Sequence, residues 1–120
     1  MDTKPYGEGG AAGTTRIAPA VLITMARLTS LQVPGVVAMA PVPGGVNRLF
    51  RRGASEGVRL EIEDQSVAID LYLVVANGTN VREVSRNVQA LVARAIEDMT
   101  GMAVARVDIH IEDIDFAASA

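Results

Sequence analysis

The chain has no cysteine, no tryptophan, one histidine (His110) and one lysine (Lys4). Without cysteine there is no disulfide framework, no thiolate nucleophile and no Cys-ligated metal, which fits a reducing compartment. Aromatic residues make up 3% of the chain, so there is little to stack bases on and single-strand binding platforms are disfavoured. The net charge is −3, with the arginines scattered among fourteen carboxylates. That balance opposes non-specific DNA binding, which needs a surface that neutralises several phosphates. No stretch approaches the roughly 20 apolar residues of a membrane helix. The N-terminal segment has no apolar run after its lysine and is not read as a secretory signal. We therefore expect a soluble, cytoplasmic protein of one domain.

What is present is a clear alternation. Val58, Leu60 and Ile62 alternate with Arg59, Glu61 and Glu63, and Val67, Ile69, Leu71, Leu73 and Val75 alternate with Ala68, Asp70, Tyr72, Val74 and Ala76. A period of two gives strands with one buried and one open face. Asp64, Gln65 and Ser66 interrupt the two runs, as a short hairpin connection does. Asn77 and Gly78 end the second run. Asn80 followed by Glu83 then forms a capping box for a helix. That helix is expected to bury Val81, Val84, Val88, Leu91, Ala95 and Met99, flanked by Val92 and Ile96, and to stop at Gly101. A last strand follows, with Ala105, Val107, Ile109 and Ile111 inward and Arg106, Asp108, His110 and Glu112 outward.

Upstream, Ile17, Val21, Met25 and Leu28 recur at helical spacing, widened by Leu22, which predicts a first helix from Ile17 to about Ser30. Pro19 suits its first turn; Ala18 is a poor cap, so Thr14 or Thr15 is expected to begin the turn. Val33, Pro34, Gly35 and Val36 read as a turn leading into a short strand, Val36 to Val42. Residues 43–56 lack periodicity and read as a long loop that is functional or disordered. Residues 1–14 read as a disordered tail, 15–116 as the domain and 117–120 as a second tail.

These elements predict a two-layer α/β (α+β) domain: a small mixed sheet of about four strands with two helices on one face. The strand, helix, strand order makes the long strand and the last strand parallel. The other sheet face is left open.

No catalytic constellation is legible. Asp108, His110 and Glu112 project from one side of a strand at alternate positions, and one His with two carboxylates is a conceivable divalent site. A solvated strand face with nearby arginines is the plainer reading, since no second His or Cys supports a metal. The acids Glu61, Glu63, Asp64, Asp113 and Asp115 alternate outward into water, where they solubilise rather than catalyse. No serine lies in a nucleophile-elbow pattern, and no glycine run forms a phosphate loop. We assign no catalytic residue, cofactor or metal. The candidate partner-contact residues are Arg48, Phe50, Arg51 and Arg52 in the long loop, with Tyr72 and His110 on the open sheet face. The loop cluster is basic and aromatic, suited to phosphate, lipid headgroups or an acidic protein surface.

Taken in order, three features resemble one family. They are Ile17, Ala18 and Pro19 opening a helix; Val33, Pro34, Gly35 and Val36 after it; and the run Val67 to Val75 leading into Asn77 and Gly78. Val84 to Val92, Thr100 to Met102 and Val104 to Ile111 extend the likeness, which covers roughly residues 15 to 116. The pattern is similar to the alkaline shock protein family of bacterial envelope stress response proteins. The resemblance implies a small, cytoplasmic, non-enzymatic protein; some members self-associate and are held at the membrane by a separate anchor protein, and others have no assigned role. It implies structural roles for Pro34, Gly35, Val36, Asp70 and Gly101 and supplies no catalytic residue. The loop at 43–56 is where members differ most, and the strongly basic tails of some members are missing. The leading expectation is a non-catalytic, self-associating interaction module that docks to a membrane-anchored or envelope partner. The rival is a small α/β nucleic-acid-binding domain, against which stand the acidic balance, the absent Gly-x-x-Gly clamp and the scarce aromatics.

Overall fold

The computed structural model describes residues 13–44 and 54–119. The element order is α1 (Pro19–Leu31), β1 (Val36–Met39), β2 (Ala54–Ser55), β3 (Val58–Glu63), β4 (Ser66–Asn77), α2 (Val81–Thr100) and β5 (Ala103–Ser119). The domain is the expected mixed α+β fold, with five strands in one sheet. The fifth is β2, a two-residue strand inside the stretch read as loop, and it pairs only with β3.

β4 is the spine of the sheet. Along one edge it pairs antiparallel with β3 over Ser66 to Leu71 and with β1 over Leu73 to Val75. Along the other it pairs parallel with β5 over its whole length. β1 and β3 therefore lie end to end in one ladder, which residues 41–56 interrupt. The join is tight: the Ala40 N–H donates to the Tyr72 carbonyl at 2.8 Å, and the Tyr72 N–H donates to the Gly57 carbonyl at 2.9 Å. Gly57 has φ +82°, and a β-carbon there would meet Met39 Cβ at 2.7 Å and the Ala40 carbonyl at 2.8 Å. Only glycine allows the chain to return to the ladder at this point.

The core is aliphatic. Val67, Ile69, Leu71, Leu73 and Val75 of β4 are all buried on one face, as their alternation requires, beneath Leu22, Ile23 and Ala26 of α1 and Val84, Val88, Val92 and Ile96 of α2. α2 is capped as expected. The Asn80 side chain accepts from the Glu83 N–H at 3.0 Å, and Gly101, at φ +75°, closes the far end.

Several expectations are corrected. α1 begins at Pro19 with Ala18 as its N-cap and no side-chain cap, not at Thr14 or Thr15. Its inward stripe is Leu22, Ile23, Ala26 and Ser30, so Val21 and Leu28, expected inside, are about half exposed. Ile17 and Met25 pack partly against the core. The helix is apolar nearly all round, so two stripes of equal period competed, and the one offering small Ala26 and Ser30 for close approach went inward. Ser30 is satisfied there by donating its hydroxyl to the Ala26 carbonyl at 2.8 Å. On α2, Val81, Leu91 and Met99 face outward, because the buried residues follow a strict four-residue spacing from Val84 to Ile96. β1 ends at Met39 rather than at Val42. β5 is far longer than the alternation to Glu112 suggests. Bulges near Ala105 and Glu112 break its period, so Val104 as well as Val107 packs toward the core while Ala105 is exposed.

Candidate interaction surface

The sheet face opposite the helices gathers the polar positions of β3, β4 and β5. The register puts Tyr72 beside His110, Asp70 between Arg59 and Asp108, and Ala68 between Glu61 and Arg106. Contacts follow from those neighbours. The Tyr72 and His110 rings stack with centroids 4.4 Å apart and planes 11° from parallel. His110 Nε2 lies 3.0 Å from Asp70 Oδ1. The Arg59 guanidinium sits 5.6 Å from the centre of the Tyr72 ring. Arg106 reaches Asp70 at 3.5 Å and Glu61 at 3.9 Å across the small Ala68, and also pairs with Asp108. The Arg106 pairs are partly exposed, worth at most about 1 kcal/mol each.

This face is not uniformly wet. Tyr72 is only 5% exposed and Ala76 6%. Burial pushes the Tyr72 phenol above its ordinary value; Arg59 pulls it down, and Asp70 and Glu112 add smaller upward pushes. His110 remains partly exposed against Asp70. Of the expected contact residues, then, the structure joins Tyr72 and His110 into one stacked pair and presents mainly His110. Arg48, Phe50, Arg51 and Arg52 lie outside the described residues. Among the described residues, no three His, Asp or Glu side chains converge on a common point. Asp108 turns to Arg106 and His110 to Asp70. A cleft of about 620 Å³ opens at the β3–β4 turn, lined by Ile17, Ile62 and Met102 with Arg16 and Asp64. It holds no histidine and none of the stacked cluster.

A second feature is the outer edge of the last strand. β5 pairs with β4 alone, so among the described residues its outer edge meets no strand along its 17 residues. Ile114 is 38% exposed and Phe116 74% exposed near its end. The signal was present but shifted by the bulge: after Glu112, apolar positions resume at Ile114 and Phe116, one residue out of step with Ile111.

The whole of this architecture matches a known pattern. Residues 8–116 match the family model of the alkaline shock proteins, which is described by a cell envelope-related function. The chain belongs to the alkaline shock protein family. Among its relatives, the uncharacterized protein YqhY of Bacillus subtilis (strain 168) is 30% identical over 110 residues, 90% of this chain and 82% of YqhY. The uncharacterized protein YloU of the same organism is 29% identical over 106 residues, 85% of this chain and 88% of YloU. Solved structures of the MamM C-terminal domain share the fold. One variant has a TM-score of 0.57 at 17% identity, covering 80% of this chain and 96% of that one. The copper form has a TM-score of 0.58 at 14% identity, covering 84% and 91%. At those identities the likeness is one of fold.

Proposed function

We propose that this alkaline shock family protein is a non-catalytic interaction module of the envelope stress response. In this reading it self-associates in the cytoplasm and docks to a membrane-anchored or envelope partner. The observation that carries the reading is the outer edge of β5, a row of main-chain donors and acceptors that, among the described residues, has no strand beside it and is a template for pairing with another chain. The family's cell envelope-related description supports it. No helix among the described residues is long and apolar enough to cross a membrane; in this reading a separate protein supplies the hold on the membrane. His110 over Tyr72, and the Arg48, Phe50, Arg51 and Arg52 cluster, are the proposed partner contacts.

Sedimentation velocity across a wide concentration range tests self-association. The sedimentation coefficient should rise with concentration; a strict monomer at the highest attainable concentration overturns the proposal.

A further inference from the structure

Side chains meet main-chain groups of β5 toward both of its ends. Near the start, Glu97 of α2 accepts from the Val104 N–H at 3.4 Å, and Gln89 donates to the Val107 carbonyl at 3.0 Å. Beyond Glu112, Asp113 accepts from the Ile114 N–H at 2.8 Å and Asp115 from the Ala117 N–H at 3.0 Å. Among the described residues, no side chain reaches the main-chain groups of Ile109 or Ile111. Successive residues of a strand point these groups to opposite edges. Tyr72 turns its N–H and carbonyl to Gly57 and Ala40, so Ile69, Leu71 and Leu73 turn theirs to β5, and the residues in register with them, Val107, Ile109 and Ile111, turn theirs away from β4.

The side chains of this window are self-complementary. With Ile109 set opposite Ile109 of a second copy running antiparallel, Val107 meets Ile111 on the helix-covered face. On the open face Arg106 meets Glu112 and Asp108 meets His110, each twice. Asp113 and Asp115 fall opposite Ala105 and Ala103. Outward-pointing residues pair only with outward-pointing ones, so the register slides in steps of two. One step either way sets Asp108 against Asp108 or against Glu112. Of the available steps, only the Ile109-centred one gives both Asp108 and Glu112 a basic partner. Charges on an edge strand usually keep other strands away; here their order invites one particular strand.

We infer that the central window of β5, Arg106 to Glu112, is a homodimer interface: two copies pair antiparallel about a two-fold axis at Ile109, joining their sheets into one. The inference rests on the self-association reading above and assigns it a surface and a register. The Val107 carbonyl has a second lone pair for the partner's Ile111 N–H while Gln89 keeps the first.

Charge reversal with rescue by mixing tests it. Glu112→Arg alone and Arg106→Glu alone each set like charges opposite one another at both ends of the window, and each should weaken dimerisation by about tenfold or more. An equimolar mixture of the two variants forms a heterodimer with every pair complementary, and should return to within about threefold of the unaltered chain. Urea unfolding of each variant establishes that it is folded. Since the chain has no cysteine, Ile109→Cys gives an independent reading. An antiparallel hydrogen-bonded pair places the two α-carbons about 5.5 Å apart, within disulfide range, so mild oxidation should cross-link the dimer. If the chain self-associates but folded single variants associate normally, mixing changes nothing and Ile109→Cys does not cross-link, the β5 register is overturned while self-association stands. A strict monomer overturns both.

Discussion

At the scale of single residues, Tyr72 separates what alternation predicts from what packing decides. The period of β4 puts it on the open face, and the structure does place it among Asp70, Arg59 and His110. Its burial could not be read from that period, because it depends on neighbours brought in by β3 and β5. The burial has a consequence at high pH. The folded state holds the phenol proton more tightly than the unfolded chain, because ionising a buried phenol is costly. The stability this contributes is fully present below the ordinary value of 10.0 and is lost as the pH rises through the higher folded value. We expect the urea midpoint to fall above about pH 10, and Tyr72→Phe to flatten that alkaline decline while leaving the neutral region nearly level. Identical alkaline profiles for the two proteins would show that other groups govern the decline.

At the scale of elements, legibility followed the strength of the local signal. β3 and β4 alternate cleanly, and α2 opens on Asn80 and Glu83 and closes on Gly101, so each was readable nearly to its ends. α1 was readable as a helix but not as a face: a segment apolar on most sides does not say which side goes in. β5 was readable as alternation only up to its second bulge, where the side-chain period slips by one, and its last residues were read as a tail from 117 onward. The β5 edge, the feature on which the functional reading depends, is a property of the sheet order, and no single strand's sequence reports its place in a sheet. Two leucines on α1 test the assigned face directly. Leu22 is fully buried and Leu28 is 48% exposed, with the same side chain on the same helix. Leu22→Ala leaves a cavity under the sheet and should cost about 3 kcal/mol of unfolding free energy. Leu28→Ala removes a side chain that is already about half solvated and should cost less than about 1 kcal/mol. Urea denaturation of the pair decides it; equal losses would mean that α1 is rotated from the face described.

At the scale of the whole molecule, the fold holds both ends of the chain's excursion between β1 and β3 in its scaffold. The chain leaves the ladder after Ala40 and returns at Gly57, both bonded to Tyr72, and Ala54 and Ser55 re-enter through their pairing with β3. The ends of the excursion are thus held by main-chain hydrogen bonds that do not depend on the identity of residues 45–53. If those residues carry the docking contacts, recognition and stability are separable. Replacing 45–53 by a glycine–serine segment of equal length removes Arg48, Phe50, Arg51 and Arg52 without altering the number of residues between the two anchors. The unfolding free energy should change by no more than about 1 kcal/mol, since loop closure depends on length far more than on side chains. Co-sedimentation with membranes prepared from the native cells should fall at least about tenfold, because several cationic contacts to an acidic surface are lost together. The β5 edge is untouched, so sedimentation velocity should show self-association unchanged. Full retention on membranes would shift docking from residues 45–53 to the open face around His110, whose replacement by alanine would then be the variant that releases the protein.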